Sequence, residues 1–288
     1  MPRRSGTRSG RTLCAAALLL CSVLCALLLW LRPWEKMADS GGFALHMIDV
    51  GQGDALLLTC GGQTMLVDGG PAENADALLT YLHAQKLKQL DYVVLTHPHS
   101  DHYGGLPRVF ANYKVGLFLL PDGEDTEAIY AFAGELCGKN DCDLDLASAG
   151  RTYALGDAEI TVLSPVSGAA PEDENDLSLV LLAEYGKHRF LLTGDASAGL
   201  LDTLDLPKLD VLKVSHHGSS DGTSSLLLSK ASPAYAFISC GADNSYGHPH
   251  DICLRRLTEA GAQVWRTDTN GTVVAAVTGD TLRITTMR

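Results

Sequence analysis

Residues 96–105 read Thr96-His97-Pro98-His99-Ser100-Asp101-His102-Tyr103-Gly104-Gly105, and this stretch decides how the chain is read. Three histidines and one carboxylate fall within six residues. The preceding run Asp91-Tyr92-Val93-Val94-Leu95 reads as a buried strand, and Gly104-Gly105 permits a sharp exit. The cluster therefore sits on a loop at a strand end, where the sites of layered α/β proteins lie. Imidazole and carboxylate suit Zn, Mn or Fe, and the lack of cysteine argues against a structural thiolate centre. His97 and His99, two apart, can point the same way from an extended segment. Asp101 and His102 follow a turn and can reach a second point. The spacing predicts two divalent ions, Zn or Mn, side by side. A polar loop with surface histidines is the plainer reading, but it needs four ligand types to coincide at this density.

The pattern of a strand ending in a ligand type recurs. Residues 189–192 lead into Thr193-Gly194-Asp195, where the carboxylate can bridge two ions, one oxygen to each. The plainer role is an N-cap for a helix over 196–204. Residues 209–214 lead into Ser215-His216-His217-Gly218-Ser219. Neighbouring side chains of an extended segment diverge, so only one of these histidines should face an ion. Asp68 ends a strand over 63–67, and Asp54 closes the turn that starts at Asp49. Either can accept the second N–H of a ligand imidazole, or simply serve its turn. Asn175 and Ser178, in an apolar run over 175–182 read as a strand, are further candidates for the surroundings of the site.

His97-x-His99-x-Asp101-His102 resembles the signature of the metallo-β-lactamase superfamily. Together with Leu191-Leu192-Thr193-Gly194-Asp195, the His216-His217-Gly218 segment and Asn244-x-Tyr246-Gly247-His248-Pro249, it makes residues 42–286 resemble the C-terminal hydrolase domain of the ComEC family of DNA-uptake proteins. The resemblance implies an α/β fold, the four-layer αββα metallo-β-lactamase sandwich. It implies that His217 rather than His216 is the ligand, with His216 facing substrate or the ligands' surroundings. One ion would then lie among His97, His99 and Asp195, and the other among Asp101, His102, Asp195 and His217. Water activated between the ions would attack phosphorus, with Asp101 able to accept its proton. His248 would bind phosphate or protonate the leaving oxygen, and Asn244 or Tyr246 would touch substrate. Superfamily enzymes often carry one more histidine before the bridging carboxylate. Here that interval holds only His188, in a hairpin turn.

The chain has 288 residues. Residues 1–12 are basic, 13–31 carry no charge, 32–41 form a linker, and 42–288 hold the expected hydrolase domain. Nineteen apolar residues suffice to cross a bilayer. Arg3, Arg4, Arg8 and Arg11 should stay in the cytoplasm, which predicts a single-pass membrane anchor with the domain outside the cell. A cleaved signal peptide is the rival, although its apolar run would be shorter. All 34 acidic residues follow residue 32, against 17 of the 22 basic ones. Such a domain cannot hold a polyanion by a diffuse basic field. Cys137 and Cys142 are spaced for a local disulfide, whereas Cys60, Cys240 and Cys253 read as buried thiols.

The expected function is hydrolysis of a phosphodiester, with single-stranded DNA first among substrates and separate channel or uptake proteins as partners. Two other readings remain: hydrolysis of another cell-surface phosphodiester, such as a choline phosphate, and a non-catalytic, metal-stabilised module that assists a channel.

Overall fold

Period-two alternation along the strands builds two sheets that share one interior. The computed structural model describes residues 42–123 and 127–288. In chain order the elements that matter here are β1 (Phe43–Met47), β2 (Leu56–Cys60), β3 (Gln63–Val67), α1 (Ala75–Ala84), β4 (Gln89–Val94), α2 (Ser100–Tyr103), α3 (Leu106–Asn112), β5 (Lys114–Pro121), α4 (Glu127–Asn140) and β6 (Asp143–Ala147). They are followed by β7 (Thr152–Leu155), β8 (Ala158–Ser164), β9 (Val180–Tyr185), β10 (His188–Leu192), α5 (Ala198–Leu201), β11 (Val211–Lys213), α6 (Ser225–Ala231), β12 (Tyr235–Ile238), α7 (Asp251–Glu259), β13 (Gln263–Arg266), α8 (Thr267–Asn270), β14 (Val273–Thr278) and β15 (Thr281–Thr286).

One sheet has the order β15-β14-β1-β2-β3-β4-β5-β6, and the other β13-β12-β11-β10-β9-β8-β7. Leu45, Leu56, Leu58, Met65, Leu181, Phe190 and Val211 point between the sheets, while Leu57, Leu66, Val180, Leu191 and Leu212 point outward. On the outer face of the first sheet lie Leu78 and Leu82 of α1, Val109 of α3 and Ala133 of α4. Leu201 of α5, Leu227 of α6 and Leu257 of α7 cover the second. The result is helix, sheet, sheet, helix, as expected. Each fully buried Leu or Phe in these layers contributes about 1.5–3 kcal/mol relative to exposure.

Parallel pairing decides where the chemistry lies. β3, β4 and β5 run parallel in the first sheet, and β10, β11 and β12 in the second. Their carboxyl ends meet at one rim of the sandwich. Asp68, His97, Asp195 and His217 all follow those ends within four residues.

Two local expectations are corrected. Residues 175–182 are not one strand: a 3-10 turn over Glu174–Leu177 precedes β9, started by the Asp173 carboxylate, which accepts from Asn175 N. The helix expected over 196–204 shrinks to α5, and its cap is Ser197, whose hydroxyl accepts from Leu200 N at 3.2 Å. Asp195 is thereby free of the capping role. Cys137 and Cys142 are free thiols, and Cys60, Cys240 and Cys253 are buried. The segment 13–31 lies outside the described residues. Among the described residues no helix is long and apolar enough to cross a membrane.

Candidate metal centre

The loop after β4 folds because its backbone is answered locally. His102 N and Tyr103 N both donate to His99 O at 3.0 Å, which starts α2 and turns Asp101 and His102 inward. Asp54 N donates to Asp101 O at 3.2 Å, so the first turn of the domain clamps this loop. A side chain at Gly53 would overlap that same carbonyl oxygen, and its φ of +135° suits glycine.

Asp68, at φ 62°, aims its carboxylate back into the rim. Its Oδ1 accepts from Thr96 N, and its Oδ2 from Thr96 Oγ1, both at 2.8 Å. His102 Nδ1 lies 2.8 Å from the same Oδ2, which leaves His102 Nε2 facing the interior. His217 is oriented in the same manner: Nδ1 donates to Ser239 O at 3.0 Å, and Nε2 stands 3.2 Å from Asp101 Oδ2 and 3.3 Å from Asp195 Oδ2. His102 Nε2 is also 3.3 Å from Asp195 Oδ2. Ser178 Oγ accepts from Asp195 N at 3.0 Å and fixes the turn that presents this carboxylate.

Ligand-type atoms of Asp101, His102, Asp195 and His217 lie within 4.8 Å of one another. His97 Nε2, His102 Nε2, His217 Nε2 and Asp195 Oδ1 are buried and have no hydrogen-bond partner. Native interiors rarely tolerate such orphans unless an ion or water answers them. Burial opposes charge on His102 and His217, yet the surrounding carboxylates together outweigh it, Asp195 and Asp68 at His102 and Asp195, Asp101 and Asp54 at His217: His102 is pushed up to about 10, and His217 lies well above its ordinary value. Against burial, the same imidazoles hold Asp101 and Asp195 below the usual carboxylate range. The field demands positive charge where these atoms converge. The donor set therefore fits a divalent cation.

The other candidates fall into place unevenly. His97 Nε2 is 3.9 Å from Asp195 Oδ2, and the His97 and His99 rings lie 4.6 Å apart. His99, 37% exposed, turns its Nε2 to Glu174 Oε2 at 3.4 Å. His97 and His99 are thus gathered less closely than the other four. Asn175 Oδ1 is buried without a hydrogen-bond partner.

His216 and His217 are not extended. Both sit at positive φ, 50° and 53°, and this tight turn brings His216 Nε2 as well to 3.8 Å from Asp195 Oδ2. Asp195 does not offer one oxygen to each side. Its Oδ2 faces the imidazoles of His97, His102, His216 and His217, while Oδ1 looks toward Lys213 Nζ at 3.8 Å.

Lys213 was not singled out from the sequence. It is fully buried, ion-paired with Asp54, and donates to Gly194 O at 3.0 Å. The signal was a lone Lys two residues after an inward-facing Val211, so strand alternation directs it inward too. Asp54 also lies 3.4 Å from His217 Nδ1 through its Oδ1.

His248 borders the cluster, its ring 5.6 Å from that of His216 and 6.3 Å from that of His217. Burial and those two neighbours lower it to about 4. Asn244 is not free to meet substrate: its Nδ2 donates to Gly241 O and His248 O, and its Oδ1 accepts from His248 N. Tyr246 is exposed.

Residues 48–127 match the metallo-β-lactamase superfamily model. The chain is 29% identical over 273 residues to "ComE operon protein 3" of Bacillus subtilis, covering 87% of this chain and 35% of that one. It is 30% identical over 256 residues to "Recombination protein 2" of Haemophilus influenzae, covering 86% and 31%. With "Competence protein ComA" of Neisseria gonorrhoeae it shares 30% over 281 residues, covering 88% and 37%. It spans about a third of the length of these relatives. Among solved structures, the metallo-β-lactamase fold protein YhfI of Bacillus subtilis superposes with a TM-score of 0.57 at 17% identity, over 82% of this chain and 100% of that one. CmlA, a diiron β-hydroxylase of Streptomyces venezuelae, superposes at 0.56 and 16%, over 82% and 54%. At those identities the likeness concerns the fold alone. Fold, rim cluster and sequence likeness agree: residues 48–127 carry the metallo-β-lactamase superfamily match, and the chain resembles the ComEC-like competence proteins.

Proposed function

We propose that this protein is a metal-dependent phosphodiesterase, with single-stranded DNA as its first candidate substrate. The observation that carries the reading is the convergence of Asp101, His102, Asp195 and His217 with bare, buried imidazole nitrogens. These four residues would hold one divalent ion, Zn or Mn. His97 and His99 with Asp195 would hold a second. Such ions, when bound, polarise a phosphoryl oxygen and make water a stronger nucleophile.

The chain's own groups do the rest. Asp101, about one-third exposed at the mouth, accepts the proton of the attacking water. The water oxygen bonds to phosphorus, the P–O bond to the leaving group breaks, and the leaving oxygen takes a proton from solvent. His248, lowered to about 4, is neutral at neutral pH and serves as a hydrogen-bond donor to phosphate rather than as the acid. Asp68 and Ser239 fix the tautomers of His102 and His217.

The names of the competence relatives support a DNA-uptake setting. In that setting a membrane anchor at 13–31 would hold the domain on the outer face, beside separate channel proteins. The test uses the full chain in detergent with Mn or Zn. Cleavage of single-stranded DNA and of bis-p-nitrophenyl phosphate supports the nuclease reading. Cleavage of the small diester alone points to another surface phosphodiester. Stoichiometric metal binding with no turnover of either would make the protein a non-catalytic accessory module.

A further inference from the structure

Tyr246 is 66% exposed, yet its loop is tied down by hydrogen bonds on both sides. Asn244 uses both ends of its amide on the loop backbone, to Gly241 O at 2.9 Å, His248 O at 2.6 Å and His248 N at 3.0 Å. His250 holds the other side. Its Nδ1 accepts from Ser220 N at 3.0 Å, so its Nε2 carries the proton that points to Tyr246 O at 3.3 Å. His250 N also donates to Gly218 O at 3.0 Å, which ties the loop to the turn that carries His216 and His217. An aromatic ring left in water gains nothing from this clamping, because no apolar surface is buried by it.

The ring has a definite neighbour. Tyr246 stacks on His248 with centroids 5.6 Å apart and planes at 22°. His248 stacks in turn on His217 at 6.3 Å and 28°. Three rings, each tilted by less than 30° from the next, thus run from solvent to the candidate metal centre. The outer face of Tyr246 continues the series with no ring upon it among the described residues.

We propose that the Tyr246 ring is the stacking platform for a nucleobase next to the scissile phosphate. The inference rests on the phosphodiesterase reading and narrows its substrate class to nucleotide-bearing diesters. Stacking suits a strand of any sequence, since every base offers a π-face. It also suits this chain's charge. With a formal net charge of −12, a diffuse basic field cannot supply the attraction that most nucleic-acid grooves use.

The test compares two small diesters with the full chain and Mn: the p-nitrophenyl diester of thymidine monophosphate, which carries a base, and methyl p-nitrophenyl phosphate, which does not. The quantity read is the ratio of their kcat/KM values. Wild type should favour the thymidine diester. Tyr246→Ala should cut the ratio by about tenfold, and Tyr246→Trp should keep it. An unchanged ratio in Tyr246→Ala overturns the platform and leaves the phosphodiesterase reading standing. If neither diester is cleaved, the phosphodiesterase reading fails, and the affinity for a short oligothymidylate decides the platform. Binding about tenfold weaker in Tyr246→Ala supports it; equal binding overturns it.

Discussion

Lys213 and Asp54 form an ion pair in which neither side chain is exposed. Lys213 follows Val211 by two residues on β11, so alternation sends its stem between the sheets, and the ammonium emerges under the rim. Burial alone would drive the lysine to its neutral form. Asp54 first, and then Asp195, outweigh that and hold its pKa above the ordinary value. The pair has a consequence for the centre. Lys213 draws Oδ1 of Asp195 to its side at 3.8 Å, and the other oxygen is left for the imidazoles. Removing one partner strands a buried charge, which typically costs about 3–5 kcal/mol. Lys213→Met should therefore lower the unfolding free energy of the metal-free chain by about that amount. Lys213→Met combined with Asp54→Asn should recover a substantial part of it. Denaturant unfolding of the three variants checks this, and additive losses in the double variant would sink the pairing argument.

The two adjacent histidines make a sharper comparison. His217 is buried, and its Nε2 lies 3.2 Å from Asp101 and 3.3 Å from Asp195. His216 is one-third exposed, 3.8 Å from Asp195, with its ring beside His248. His217→Ala should abolish binding of one of the two ions. His216→Ala should keep metal stoichiometry and lower turnover. Metal content after gel filtration, read beside kcat, distinguishes the two. Full metal content in His217→Ala would remove it from the ligand set.

Much of this arrangement was legible before any coordinates, and the rest was hidden for physical reasons. Strand-end carboxylates and histidines could be read because apolar runs such as 91–95 and 189–192 mark where buried strands stop. The role of Lys213 could not be read from hydropathy, since a single Lys in Val211-Leu212-Lys213-Val214 looks like an interruption. Only its register against Val211, together with parallel pairing to β10, turns it inward. The direction of His99 was equally hidden. Its spacing from His97 allows a shared ion, but Glu174, seventy-five positions later in the chain, competes for its Nε2. Residues 216 and 217 read as extended because the apolar strand before them invites continuation. Positive φ at two consecutive histidines is a tertiary outcome. Local chemistry also won over pattern at 175–182, where the Asp173 carboxylate starts a 3-10 turn inside an apolar run.

Asp68 offers a test of indirect control over the centre. It stands outside the Asp101, His102, Asp195 and His217 cluster. Its carboxylate holds Thr96 N, Thr96 Oγ1 and His102 Nδ1, all at 2.8 Å. Asp68→Asn keeps the shape but weakens the acceptor opposite the imidazole. Metal affinity should fall about 10–100-fold, the usual penalty for losing the partner of a ligand histidine. Titration of the metal-free chain with Zn or Mn measures it. Unchanged affinity would mean that packing alone orients His102.

His46 predicts a pH-dependent stability that owes nothing to the centre. On β1 it faces outward, away from the inter-sheet interior, and its Nδ1 lies 2.7 Å from the hydroxyl of Tyr81 on α1. Its Nε2 is buried with no hydrogen-bond partner, and burial lowers the group from 6.5 to about 4. Above pH 6.5 the imidazole is neutral in both folded and unfolded chains, so it adds no pH dependence. As pH falls below that value the unfolded chain takes up the proton and the folded chain does not. Folding is penalised increasingly until the folded group titrates near 4. The shift amounts to about 3 kcal/mol lost between pH 7 and pH 4. His46→Gln removes the titration while keeping a polar side chain. The difference in unfolding free energy between wild type and His46→Gln should therefore change by about 3 kcal/mol over that interval, in favour of the variant at the acid end. Denaturant unfolding of both proteins in parallel pH series, with chelator present, reads that difference directly. A flat difference would mean that His46 accepts its proton in the folded state as readily as in the unfolded one.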